Sequence, residues 1–212
     1  MDISEMKINF LGDSITVGFG SSEYRYSYVG RFLEKYPQAT IRSYCVGGSC
    51  ISDRCVWGVE SMCQRIEKMD PDADLVVVFG GTNDFECSVP LGTPQDRKGD
   101  TFYGGCYEML EKLRRKYPNR PIVVATPLHR RGENDASNAE RRLQAPLDTY
   151  AAIVWEVAHR FGCPIIDLNR LLPEFRTEPL GRGESLTVDG LHPNDEGYEL
   201  IFSKLDEGLA AL

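Results

Sequence analysis

Leu75-Val76-Val77-Val78-Phe79-Gly80-Gly81-Thr82-Asn83 is the stretch that decides the fold. Five consecutive apolar residues have the length of a strand and no alternation of polarity, so both faces of that strand need cover. This fits a central strand of a parallel sheet, with two glycines turning the chain at its carboxyl end. Working outward, Lys7 to Leu11 reads as a strand that runs into a glycine-rich turn, and Ala39 to Val46 as a strand that stops at Gly47-Gly48. Ile122 to Ala125 reads as a fourth strand and Pro164-Ile165-Ile166 as the start of a short fifth. Helical stripes separate them: Val29, Phe32, Leu33 and Tyr36; Val56, Val59, Cys63 and Ile66; Tyr103, Cys106, Leu110, Leu113 and Tyr117. The cleanest runs through Leu147, Tyr150, Ala151, Val154, Val157, Ala158 and Phe161, with Gly162 as its cap, and an amphipathic helix from Tyr198 to Leu209 closes the chain. Strands alternating with helices predict an α/β protein, a three-layer α/β/α sandwich around a five-stranded parallel sheet, with residues 1–212 as a single domain.

Composition removes several classes of function. The net charge of −8 leaves no basic stripe to neutralise phosphates, so nucleic acid is not an expected partner. No apolar run approaches the ~20 residues of a membrane span. Met1-Asp2-Ile3-Ser4-Glu5-Met6 lacks the basic-then-apolar order of a secretion signal, and a cytoplasmic location is the expectation. Seven cysteines cannot all pair, and none form a Cys-x-x-Cys set; reduced thiols are expected, several of them in the core. A zinc site built from Cys45, Cys50, Cys55 and Cys63 is disfavoured for want of a tight ligand knuckle, and neither a metal nor another cofactor is expected. The sequence gives no handle on oligomeric state.

In an open parallel sheet, ligands bind beyond the carboxyl ends of the strands. Ser14 follows the first predicted strand, Gly48 the second, Asn83 the third and His129 the fourth, while Asp189 and His192 come after the fifth. A serine where a strand turns into a helix suits a nucleophile, but its hydroxyl attacks poorly without a base. An Asp three residues before a His lets one short turn supply that base and the acid that orients it. Each feature also has a plain structural reading: Ser14 as a helix cap, Asn83-Asp84 and Asp189-Gly190 as turns. Gly12, Gly18 and Gly20 would fit the phosphate-binding turn of a flavodoxin-like protein, which leaves Asp189 and His192 unexplained.

Gly12-Asp13-Ser14-Ile15, Gly48, Gly80-Gly81-Thr82-Asn83-Asp84 and Asp189-Gly190-Leu191-His192-Pro193-Asn194 resemble, in order and spread, the four sequence blocks of the SGNH, or GDSL-type, hydrolases. The resemblance implies a flavodoxin-like strand order 2-1-3-4-5. It also implies hydrolysis of carboxylic esters through an acyl-serine, with Ser14 as nucleophile, His192 as base and Asp189 as the orienting acid. The oxyanion would be met by the backbone N–H groups of Ser14 and Gly48 and by the Asn83 amide. The second block departs from the family pattern, because Ser43-Tyr44-Cys45-Val46-Gly47-Gly48 has Ser and Cys where Asn and Gly are common. Gly48 is preferred to Gly47 as the donor.

Asp13, Phe85 and His129 are candidate substrate contacts, with Phe85 equally suited to the core and His129 to a solvated loop. Arg130, Arg131, Arg141 and Arg142 read as a solvated charged face, His159 as a surface residue, and Trp57 and Trp155 as core or interface aromatics. Cys45, Cys50 and Cys87 fall near the proposed rim, where oxidation would touch activity; inert buried thiols are the default. Two long polar loops, Asp84 to Asp100 and His129 to about Arg141, offer no large apolar lid. The expected substrate is therefore a small-molecule or carbohydrate ester with a short acyl group. A lysophospholipid, a thioester, or non-catalytic binding on the same scaffold are the alternatives.

Overall fold

The computed structural model describes residues 1–134, 144–177 and 181–212. Its five strands are β1 (Lys7–Gly12), β2 (Thr40–Cys45), β3 (Leu75–Phe79), β4 (Ile122–Ala125) and β5 (Ile165–Ile166), all parallel in the order β2-β1-β3-β4-β5. The register matters most for function. Gly12 pairs with both Cys45 and Phe79, Phe79 with Ala125, and Ala125 with Ile166. The strands thus end level, and each following loop leaves from one rim.

The helices are α1 (Ser14–Val17), α2 (Tyr28–Lys35), α3 (Met62–Arg65), α4 (Thr82–Glu86), α5 (Phe102–Lys116), α6 (Leu147–Arg160), α7 (Leu168–Leu171), α8 (Gly183–Leu186) and α9 (Asp195–Ala210). Successive residues of a strand face opposite ways, and β3 shows it: Val76 and Val78 join one core, Leu75, Val77 and Phe79 the other. The first core lies under α3, α5 and α6, with Cys63, Leu110, Tyr150 and Val154 among its members. The second lies under α2 and α9, with Val29, Phe32, Ile201 and Leu205. All five residues of β3 are buried, as a strand covered on both faces requires.

Several expectations need correction. The predicted stripe from Val56 to Ile66 is not one helix: α3 starts at a capping box in which Ser61 accepts the Gln64 N–H and Gln64 answers the Ser61 N–H. Val56 lies upstream of that start, 70% exposed. Leu33 is also exposed, on the outer side of α2. Trp57 and Trp155 are half-exposed rather than core residues, and Trp155 stacks on the exposed ring of His159. Arg141, Arg142 and part of the second polar loop lie outside the described residues. No helix among the described residues is long and apolar enough to cross a membrane.

Candidate active site

Asp13 ends the β1 turn by capping α1, accepting the Ile15 N–H at 3.0 Å, and this places Ser14 at the first helical position. At the other end of the chain, Asp189 and His192 sit in a tight turn. Thr187 and Pro193 form an isolated bridge, the Val188 N–H donates to His192 O at 2.9 Å, and the Gly190 N–H donates to Thr187 Oγ1 at 3.0 Å. Arg131 braces the same turn from outside, its guanidinium donating to Asp189 O and its backbone N–H to Gly190 O.

Helix α9 brings the two ends together. The Tyr198 hydroxyl lies 3.0 Å from Ile15 O and 2.7 Å from Phe19 O, and Asp195 accepts from both the backbone N–H and the hydroxyl of Ser22. His192 Nε2 then lies 3.0 Å from Ser14 Oγ, and His192 Nδ1 lies 2.6 Å from Asp189 Oδ2. The carboxylate fixes the proton on Nδ1, which leaves Nε2 to accept from the serine hydroxyl. Asp189 Oδ1 takes the N–H groups of Leu191 and His192 at 2.9 and 2.8 Å. Burial works to raise the Asp189 pKa, but these bonds and the imidazole outweigh it and hold the carboxyl below its usual value.

Three N–H groups contributed by the ends of the first three strands make no hydrogen bond to the described residues. The backbone N–H groups of Ser14 and Gly48 donate to nothing among the described residues. Asn83 Nδ2 spends one hydrogen on Ser49 O at 3.0 Å and keeps the other. Gly48 has φ +76°, the left-handed region open to glycine, and a Cβ there would press on the Trp57 ring at 3.2 Å. A Cβ built on Gly47 would instead meet the Phe19 ring at 3.2 Å and Ser14 Cβ at 3.8 Å.

The loop carrying these glycines is held from beneath. Asp84, fully buried, accepts the Ile51 and Ser52 N–H groups at 2.8 and 3.0 Å; burial nonetheless raises its pKa from 3.8 to about 6. Arg65 is 4% exposed and faces no carboxylate within ion-pair reach among the described residues. Its guanidinium donates instead to Tyr44 O at 3.0 Å, Ser49 Oγ at 2.6 Å, Glu60 O at 2.5 Å and Gly12 O at 2.8 Å. One side chain therefore ties the end of β1, the end of β2 and the loop after Gly48 to α3. Sequence reasoning missed it, because nothing in Met62-Cys63-Gln64-Arg65 distinguishes an inward arginine from a solvated one.

Of the three candidate substrate contacts, Phe85 takes the core alternative, while Asp13 and His129 are placed differently from expectation. Phe85 is fully buried with its ring edge-on to Tyr150, so it belongs to the core. Asp13 is 1% exposed, with one oxygen capping α1 and the other buried without a hydrogen-bond partner among the described residues, and burial raises its pKa from 3.8 to about 7. His129 is neither loop-solvated nor a pocket wall. It is 1% exposed, with Nδ1 at 2.8 Å from Glu133 Oε2 and Nε2 accepting from Arg176 Nε at 3.1 Å. Arg130 is likewise buried, paired with Glu86 at 2.6 Å and reaching Thr82 Oγ1 at 3.3 Å. It clamps the helix that carries Asn83. An open cleft of about 510 Å³ lies between α6 and α7, lined by Trp155, Asp167 and Arg176 among others, and contains none of Ser14, Asp189 or His192.

Comparisons with known proteins bear on the fold and the family. No curated protein matches the chain. Among solved structures, a protein from Lactobacillus plantarum is 25% identical with a TM-score of 0.82, and 99% of each chain is covered. An acetyl xylan esterase, AlAXEase, is 23% identical with a TM-score of 0.65, over 96% of this chain and 100% of that one. A lipase/acylhydrolase from Enterococcus faecalis is 21% identical with a TM-score of 0.68, over 97% of this chain and 96% of the other. The sequence profile of the GDSL-like lipase/acylhydrolase family matches residues 10–200, and the chain belongs to that family.

Proposed function

We propose that this protein hydrolyses carboxylic esters through an acyl-Ser14 intermediate, on a short acyl group such as acetyl carried by a polar or carbohydrate alcohol. The observation that carries the reading is the relay Ser14–His192–Asp189 together with the Ser14 and Gly48 N–H groups and the second Asn83 amide hydrogen, which donate to nothing among the described residues. His192 Nε2 takes the Ser14 proton as Oγ attacks the ester carbonyl, and Asp189 stabilises the imidazolium that forms. The carbonyl oxygen gains negative charge within reach of the Ser14 and Gly48 N–H groups and the second Asn83 hydrogen. One such donor is typically worth about 10²–10³ in turnover. His192 next hands its proton to the departing alcohol. A water, deprotonated by the same nitrogen, attacks the acyl-serine and releases the acid, so that no cofactor is needed.

The short acyl group is supported by the space beside the nucleophile. A Cβ built on Gly47 would meet the Phe19 ring at 3.2 Å and Ser14 Cβ at 3.8 Å, so little room is left on that side of the nucleophile. The same fold also carries an acetyl xylan esterase. A second reading, a lysophospholipase or acyl-thioesterase, is favoured by a different observation. Phe19, Val56, Trp57 and Val188 are exposed apolar side chains by the site, and they would suit a longer chain lying on the surface. The deciding experiment is hydrolysis of p-nitrophenyl esters from acetyl to long acyl chains by the wild type and by Ser14→Ala. Activity greatest on acetyl and reduced by at least about 10³-fold in the variant is expected. A rate that climbs with chain length would favour the second reading. Absence of any Ser14-dependent rate would refute both in favour of a binding domain.

A further inference from the structure

Cys50, Cys55 and Cys87 bring their sulfur atoms within 4.8 Å of one another beside the glycine loop. They come from two segments, the loop after Gly48 and the end of α4, and this is why no ligand spacing appears in the sequence. Cys50 is buried while Cys55 and Cys87 are partly exposed, so the cluster has an inner wall and an open side. Cys50 Sγ and Cys87 Sγ are 3.7 Å apart. Two thiolates on one tetrahedral ion, each about 2.3 Å from it, stand about 3.8 Å apart. The third sulfur needs to close by only about 1 Å to complete a trithiolate face. A disulfide, by contrast, would draw one pair to about 2.05 Å and leave the third thiol without a role.

We propose that Cys50, Cys55 and Cys87 form a site for a thiophilic divalent cation such as Zn²⁺ or Cd²⁺, and that its occupancy damps the neighbouring esterase site. On binding, the three thiols release their protons to solvent and a water completes the tetrahedron; nothing is oxidised. The link to turnover runs through Cys55, whose thiol donates to Gly48 O at 3.3 Å. As a metal-bound thiolate it no longer donates, and the Gly48–Ser49 peptide loses that restraint next to the N–H assigned to the oxyanion. This consequence rests on the proposed function, whereas the ion binding does not.

The test uses reduced, chelator-treated full-length protein titrated with Cd²⁺, read by the ultraviolet thiolate-to-cadmium charge-transfer band. One ion per chain is expected, with the band lost in Cys87→Ser and in Cys55→Ser and kept in Cys163→Ser, all with melting curves near wild type. Two variants guard against a failure of either to fold. No band, or a band that survives in both Cys87→Ser and Cys55→Ser, overturns the site. So does recovery of the cluster as a disulfide, two mass units lighter, that reduction does not convert to a cadmium-binding form. In a parallel arm, Zn²⁺ is expected to lower kcat by about 10²-fold, the worth of one oxyanion donor, with EDTA restoring it and Cys87→Ser insensitive. A saturated site with unchanged kcat overturns the coupling alone. Absence of any Ser14-dependent rate would instead strike the proposed function and leave the cadmium result standing.

Discussion

Arg65 offers the sharpest test of how the site is built. Replacing it with Met keeps much of the volume and removes the guanidinium that donates to Tyr44 O, Ser49 Oγ, Glu60 O and Gly12 O. The four acceptors are not all orphaned. Gly12 O still receives the Val46 N–H at 3.3 Å, and Glu60 O still receives the Ser49 hydroxyl at 2.9 Å. Met also spares the cost of keeping a charge buried, a cost that already lowers the Arg65 pKa. Net of these offsets, the loss is about 3 kcal/mol, near the low end for breaking a buried charged network. For a chain of this size that lowers the melting temperature by roughly 6–12 °C. The Gly48 loop then loses its tie to β1, and a displacement near 1 Å costs about 10² in rate. The assay is steady-state hydrolysis well below the melting transition, alongside thermal unfolding. A fall in kcat with KM little changed is expected, and Arg65→Lys recovers part of the stability but little of kcat, since an ammonium cannot span acceptors set around a planar fork. Arg65→Met with wild-type kcat, whatever its melting temperature, would refute the idea that this residue positions the oxyanion loop.

Three further outcomes follow from the geometry. The Asp13 pKa is raised by burial from 3.8 to about 7, so its stabilising contribution is complete below pH 3.8 and lost as the pH rises through about 7. Asp13→Asn keeps a capping oxygen and is expected to gain on the wild type by up to about 4 kcal/mol as the pH climbs from 4 to 8; parallel melting curves across that range would sink the argument. Gly20 has φ +92°, and a Cβ there would sit 2.5 Å from Pro193 O and 3.1 Å from His192 Cβ, so Gly20→Ala should displace His192 and cut kcat by about 10–10²-fold. An unchanged kcat would show that the turn absorbs the methyl. Tyr198→Phe removes the hydroxyl shared by Ile15 O and Phe19 O and is expected to cost about 1–3 kcal/mol in chemical denaturation, with no loss on unfolding counting against its role as a tie.

The rim of the sheet was legible because it depends on strand ends, and strand ends are marked locally. Phe79-Gly80-Gly81 and Cys45-Val46-Gly47-Gly48 announce where a parallel strand stops, and the level register then carries Ser14, Gly48 and Asn83 to one edge. The start of α3 was misread for a related reason. Apolar residues at helical spacing said nothing about where hydrogen bonding begins, and a reciprocal cap at Ser61 and Gln64 set the boundary.

Charged and thiol side chains that turn inward are another matter. An arginine is buried only where acceptors from several distant segments converge, and no single stretch of sequence encodes that convergence. Arg65 draws on β1, β2 and the loop before α3; Arg130 reaches back to Thr82 and Glu86; His129 is fixed by Glu133 and Arg176. Until the fold supplies their partners, Arg130 reads as part of a solvated face, His129 as a substrate contact or a solvated loop residue, and Arg65 draws no notice. The same holds for Cys87, which is 37 residues from Cys50 yet 3.7 Å from its sulfur. What the chain writes locally is the chemistry presented at the rim; what it writes only through the fold is the scaffold beneath it. Substitutions at that buried layer therefore probe the site more stringently than changes at the rim, because their effect on turnover can pass only through the position of the Gly48 loop and of α4.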